Sequence, residues 1–333
     1  MANHLVIKDK QLNGWEYGML RSFERAIEEE TGAQTVELPQ YNINNKYMSH
    51  FGHGMKRGVY RKYFPKQPLA LKADVAWSIL MGPENYRLDL FKGWQYGCRK
   101  KVLYIYDTMP FQYPVIQRLF SNDNWDLLIT SFNDAAADLE QLTGRKWHSL
   151  EQAADRNLFT PVPLQERLIH FSSYGRRYPA LHEAIKDFCA ARGLYYDYTT
   201  HDAKHPTADA KDLYQQYAWH LSHSVFTLSW PVELTNPARA GHLHPITCRW
   251  FEAAAAGTVI LGKRPANEAF DELLGNQLVV EIDPFASKEV LQEQIEHIWN
   301  NRENLHNRAA LVREQRLAKL SWNERVNRIL SWI

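Results

Sequence analysis

Short aliphatic and β-branched runs alternate with amphipathic segments along this chain, and the pattern occurs twice, on either side of a proline-flanked break. Alternation of that kind builds parallel strands covered by helices. In the first half, residues 4–8, 34–38, 75–80, 101–106 and 126–131 read as strands, with helices at 19–30 and 133–142. The break lies around Asp155 to Pro163, where Pro161 and Pro163 can continue neither a helix nor a central strand. Beyond it, residues 167–172, 194–198, 224–228, 258–261 and 277–282 read as strands and 178–192, 211–220 and 247–256 as helices. From Ser287 onward the chain is nearly all helical, with Trp299, Leu311, Leu317, Trp322, Val326 and Leu330 as an apolar stripe. The expected class is therefore α/β: two domains at 1–158 and 159–318, and a terminal helix at 319–333.

Composition narrows the function classes. The 39 Lys+Arg and 38 Asp+Glu of the 333 residues leave a formal net charge of +1, too balanced for a general nucleic-acid binder, and no nucleic-acid partner is expected. Cys98, Cys189 and Cys248 are odd in number and widely spaced, which argues against a disulfide framework and for a reducing compartment. No apolar run reaches the ~18 residues a membrane span needs. The first ten residues do not resemble a signal peptide, so a cytoplasmic location is expected, with peripheral attachment to the inner membrane face as an option.

The most informative segment is Thr247 to Gly262. Its run Ala253 to Ala256 lets a helix pack closely on a sheet, and Gly257 suits the residue just past a helix end. Arg249 and Glu252 stand three apart on one helical face, where they can pair with each other, or where the carboxylate can take the paired hydroxyls of a ribose. The segment resembles the R-x-F-E-A-x-A-x-G signature of group 1 nucleotide-sugar glycosyltransferases of the GT-B fold. Asn236-Pro237-Ala238-Arg239 is similar to the N-P-x-R loop of the CgeB-like branch. Trp322-Asn323-Glu324-Arg325 is similar to that branch's closing W-x-x-R, and Asp155 to Pro161 to its G-V-D-x-x-x-F-x-P junction, with Ala154 in place of glycine. The match is strong over roughly the last third of the chain and architectural elsewhere.

The resemblance implies two facing Rossmann-like domains, a nucleotide-sugar donor on the second, an acceptor on the first, and a final helix crossing back to the first domain. Glu252 would hold the ribose. Ser173, Gly175, Arg176 and Arg177 occupy the place of the diphosphate loop, where small residues admit backbone N–H groups and guanidinium binds phosphate in a bidentate manner. The lysine common in that loop is absent, with Tyr178 and Pro179 instead. His244 stands eight residues before Glu252, where many retaining members carry a glutamate; it can hydrogen-bond phosphate or sugar, or simply make a turn. Gly14 and Gly18 can let the first loop approach the diphosphate, or can make the turn only.

In the first half, Asp107 ends the apolar run Leu103 to Tyr106, at the strand end where open α/β sheets face their ligands. It resembles the H-D-x-x-P step of related transferases, with Tyr106 where histidine is common. A carboxylate there can take the proton of an acceptor hydroxyl in an inverting transfer, or cap the turn before Pro110. Between Asn42 and Lys72 seven basic residues and no acid are interleaved with aromatics; Lys56, Arg57, Arg61 and Lys62 mark this stretch for a lipid-linked acceptor, an anionic membrane surface or plain solvation. No His/Cys/acid set has metal-ligand spacing, so neither a metal nor another cofactor is expected. The reading is a metal-independent hexosyltransferase moving a sugar from a nucleotide-sugar to a hydroxyl of a glycan, lipid-linked or other acceptor. Two alternatives are a nucleotide- or sugar-binding module without catalysis, and a dinucleotide-dependent oxidoreductase. Against the latter, no G-x-G-x-x-G follows either first strand.

Overall fold

A computed structural model describes residues 2–9, 17–39, 66–198 and 210–333. The strands are β1 (His4–Lys8), β2 (Gln34–Glu37), β3 (Gln67–Pro68), β4 (Ala73–Leu80), β5 (Phe91–Lys92), β6 (Cys98–Ile105), β7 (Leu127–Thr130) and β8 (Trp147–Ser149), then β9 (Ile169–Ser173), β10 (Tyr196–Tyr198), β11 (Ser224–Ser229), β12 (Val259–Gly262) and β13 (Val279–Glu281). The chain divides into two compact units. Among described residues, 2–9, 23–39, 66–151 and 326–333 form the first, and 17–22, 152–198 and 210–325 the second.

The first unit holds a six-stranded parallel sheet in the order β2-β1-β4-β6-β7-β8. β4 runs Ala-Asp-Val-Ala-Trp-Ser-Ile-Leu with nearly every residue buried, as a strand covered on both faces must be. It pairs along its length with β6, Trp77 opposite Val102 and Leu80 opposite Ile105. β8 (Trp-His-Ser), β3 (Gln-Pro) and β5 (Phe-Lys) hold no aliphatic or β-branched run, and sequence patterning misses all three.

The second unit holds a five-stranded parallel sheet, β10-β9-β11-β12-β13. Both sheets therefore reverse their winding once, the first between β1 and β4 and the second between β9 and β11, and such switch points open crevices at the carboxyl ends of the strands. Between β11 and β12 lies the helix Cys248–Ala255, buried at every position except Arg249. Gly257 follows it at φ 62°, the left-handed turn that releases the chain into β12.

Three helices close the chain: Lys288–Asn300, Arg302–Arg316 and Trp322–Leu330. Trp299 packs on Phe171 with ring centres 6.0 Å apart. Leu311, expected in the apolar stripe, is 54% exposed; its helix turns Leu305, Ala309 and Val312 inward, and position 311 lies one residue round from that face. Within the second unit Ala154 bridges the segment before the last helix: its N–H donates to Leu320 O at 2.8 Å, and its carbonyl accepts from Trp322 N at 3.3 Å. Arg325, 1% exposed, lies with its guanidinium 5.9 Å from the centre of the Phe251 ring. The closing W-x-x-R thus anchors against the helix that carries Glu252. Among described residues no helix is long and apolar enough to cross a membrane.

Candidate functional site

The loop after β9 lies at the switch point of the second sheet. Gly175 holds φ 120°, a conformation other residues rarely adopt, and a Cβ there would come within 2.5 Å of Arg249 Nη1. Both facts demand glycine, and the second puts the Arg249 guanidinium against this loop. Arg176 Nη1 donates to Thr235 Oγ1 at 2.8 Å, tying the loop to the short helix Val232–Thr235 that follows β11. Arg177 diverges, its guanidinium 5.1 Å from the centre of the Tyr198 ring. Ser173, at 1% exposure, is buried. The structure therefore joins Arg249, Gly175 and Arg176 and turns Arg177 toward the β10 edge.

Glu252 does not pair with Arg249 as an i, i+3 couple. Its carboxylate is buried, accepting from Tyr214 Oη at 2.6 Å and from Tyr217 Oη at 2.9 Å. Burial raises its pKa above the ordinary glutamate value, against the downward pull of the two tyrosine hydroxyls and of Arg249. The same burial, with the carboxylate alongside, pushes both tyrosines well above theirs. Phe159 meets Tyr214 and Tyr217 edge-on at 5.7 and 5.8 Å. Tyr174 meets Tyr217 edge-on at 5.3 Å and donates to Asp197 Oδ2 at 2.6 Å, and Asp197 in turn binds His220 Nδ1. His220 foremost, then Tyr174, holds the Asp197 pKa below its usual value. A Cβ on Gly18, which belongs to this unit, would overlap the Tyr214 ring at 2.1 Å. Gly14 lies outside the described residues.

His244 Nδ1 lies 3.2 Å from Glu233 Oε1, which also accepts from Ala266 N at 3.1 Å; Asn267 Nδ2 donates to the His244 carbonyl at 2.8 Å. Glu233 is a residue that sequence reasoning missed. Its signal was present, an acid two residues past the proline that follows β11 at the switch point. It supplies a carboxylate beside the position where the signature lacks one.

In the first unit Asp107 stands two residues past the end of β6 and is half-buried, its N–H donating to Met81 O at 2.7 Å. The turn behind it is braced twice: Met109 N donates to Gln112 Oε1 at 2.9 Å, and Gln112 Nε2 donates to Glu84 Oε2 at 2.9 Å. Asp107 and Glu84 thus follow neighbouring strands, β6 and β4. Tyr106 is fully buried, so the side chain standing for the histidine of the H-D step belongs to the core. Lys56, Arg57, Arg61 and Lys62 lie outside the described residues. Among described residues no group of three or more His, Cys, Asp or Glu could hold a metal ion.

A family model described as glycosyl transferase-like matches residues 145–331, more than half of the chain. The chain belongs to this glycosyl transferase-like family. Sugar transfer is accordingly its activity class, and the oxidoreductase alternative falls away. A solved glycosyltransferase from Rickettsia africae ESF-5 is similar to this glycosyl transferase-like chain at 12% identity and a TM-score of 0.53, over 99% of this chain and 97% of that one. A UDP-GlcNAc 2-epimerase from Neisseria meningitidis bound to UDP-GlcNAc is similar at 8% identity and the same TM-score of 0.53, over 99% of this chain and 98% of that one. Likeness this remote shows the GT-B fold and not the reaction, since a transferase and an epimerase share it. A search of curated proteins finds no match.

Proposed function

We propose that the protein transfers a hexosyl group from a nucleotide-sugar donor to a hydroxyl of a glycan or lipid-linked acceptor, without a metal ion. The observation that carries this reading is the Arg249 guanidinium against Gly175 in the switch-point loop, with Arg176 beside it. Guanidinium groups and backbone N–H groups there would receive the diphosphate and neutralise the charge that develops as it leaves. The ribose end falls to the Glu252 pair. Because Glu252 is buried and both its oxygens accept from tyrosines, Tyr217, partly buried and the more accessible of the two, would meet the ribose hydroxyls with Glu252 behind it. His244, oriented by Glu233, would bind the sugar or its phosphate, and Ser173 would shape the loop floor. Gly14 would approach the donor from the chain's first loop.

Asp107 would accept the proton of the acceptor hydroxyl in an inverting transfer. Lys56, Arg57, Arg61 and Lys62 would hold an anionic acceptor or the inner membrane face, consistent with peripheral attachment in the cytoplasm, and the stretches Asn236 to Arg239 and Trp322 to Arg325 support membership of the CgeB-like branch.

The test is donor turnover by purified protein in EDTA across a set of nucleotide-sugars, after a thermal-shift survey of nucleoside diphosphates selects the base. The expected result is metal-independent turnover with inversion, reduced about 10²–10⁴-fold by Asp107→Asn with donor affinity unchanged. Retention of the anomeric configuration, or full turnover by Asp107→Asn, removes Asp107 as the base. Stabilisation by nucleotides with no turnover on any donor and acceptor pair favours the binding module.

A further inference from the structure

The second unit carries a pocket that the proposed donor site does not use. About 470 Å³ in volume, it opens at the opposite end of the sheet, between the segment Pro161–Gln165 and the helix Arg302–Arg316. The volume is in the range of small-molecule sites. Its floor is one helical face: His306, Ala310 and Arg313 follow at i, i+4 and i+7, so the small Ala310 leaves an open stretch between two polar ends ~10.5 Å apart along the axis.

The polar ends have unmet capacity. His306 is 8% exposed, yet its Nε2 has no hydrogen-bond partner among the described residues. Leaving such an atom unpaired in the interior is unfavourable, and a ligand hydrogen bond would relieve it. Arg313 donates through Nε to Ala255 O at 2.8 Å, leaving the guanidinium edge formed by Nη1 and Nη2 for another acceptor. Arg167, also in the wall, has its five N–H groups engaged by the protein and contributes charge without donors. Burial, with Arg167 nearby, lowers the His306 pKa to about 4, so the imidazole is neutral at physiological pH and can take either hydrogen-bond role. Glu303 is the one acid in the lining and is exposed at the rim, where solvent screens it.

We propose that this pocket binds a sugar-sized molecule bearing an oxyanion, its phosphate or carboxylate on the Arg313 guanidinium and a hydroxyl on His306 Nε2. A bare anion is too short to reach both ends, and a neutral sugar leaves the guanidinium edge unmatched. The site stands on its own observations and does not depend on the reading of the donor site.

The test follows the His306 imidazole by NMR in the whole protein, with the signal assigned through His306→Phe. The titrants are a hexose 6-phosphate, a hexuronate, inorganic phosphate and a free hexose. The expected result is a saturable shift with the hexose phosphate or the hexuronate, the tighter of the two naming the anion's source, and binding at least tenfold weaker for phosphate and free hexose. Ala310→Trp, which fills the pocket and leaves every charge in place, should abolish the shift; Arg313→Gln should weaken binding tenfold or more, and Arg249→Ala should leave it unchanged. No shift with any titrant, equal binding of the free hexose, or a shift that survives Ala310→Trp would overturn the proposal.

Discussion

At one end of the helix Cys248–Ala255, Arg249 reaches out to the switch-point loop; at the other, arginines are drawn in to seal the last carbonyls. Arg313 Nε donates to Ala255 O at 2.8 Å, and Arg167 Nη2 to Ala256 O at 2.9 Å and Gly257 O at 3.1 Å. The remaining Arg167 donors go to Val162 O, Ser224 O and Thr258 Oγ1. Burial lowers the Arg167 pKa to about 9, which still leaves the guanidinium protonated and all five donors in place at neutral pH. A helix C-terminus attracts cations and its N-terminus anions. Here the negative end is satisfied by the chain itself, while Arg249, in the first turn at the positive end, lies against the loop read as the diphosphate site. Three arginines of identical chemistry therefore do different work, decided by what their N–H groups find.

The comparison breaks most visibly at Arg167. Arg167→Met should destabilise the protein by about 3–5 kcal/mol, because several buried carbonyls lose their donor together, and the denaturant midpoint should fall accordingly. A loss below about 1 kcal/mol would mean that the sealed end is not where stability resides. Arg249→Ala is expected to do the reverse: nucleoside diphosphate affinity, measured by calorimetry, falls 10- to 100-fold, and the denaturant midpoint changes by less than about 1 kcal/mol. Unchanged affinity would remove the distinction between the two ends. Arg313→Gln, losing one carbonyl bond at a half-buried site, should cost about 1 kcal/mol.

The smallest effect concerns the Glu252 carboxyl on the same helix, and it appears as a pH dependence. Its pKa is raised in the fold above the reference value of 4.5, so just above that pH the native state binds more protons than the unfolded one. The carboxyl's favourable contribution is full below 4.5 and is lost as pH rises through the folded value. Wild type should therefore lose stability relative to Glu252→Gln as pH climbs from 4.5, as read from paired urea midpoints. A gap that stays constant with pH would show that the tyrosines fully offset the burial.

Much of the scaffold is visible in the order of residues. The strands from β1 through β12 that form each sheet's centre are runs long enough to show their character, and the helix Cys248–Ala255 announces itself through Ala253 to Gly257. The closing Trp322 and Arg325 are legible as a motif. The edge strand β8 is not, since Trp147-His148-Ser149 contains no aliphatic or β-branched run. The site was legible as a set of residue types at the ends of strands, Asp107, Arg176 and Arg249 among them, while their partners were not.

Sequence alone determined the two parallel sheets, the glycine at position 175 and the helix that carries Arg249 and Glu252, because these rest on local periodicity and backbone freedom. Only the tertiary structure decided that Glu252 answers to Tyr214 and Tyr217, 38 and 35 residues away, and that Arg167 caps Ala256, 89 residues away. Hydrogen bonds across such separations leave no trace in local pattern. They form because folding buries each polar group, and a buried donor or acceptor takes the partner that the sheet order places within reach.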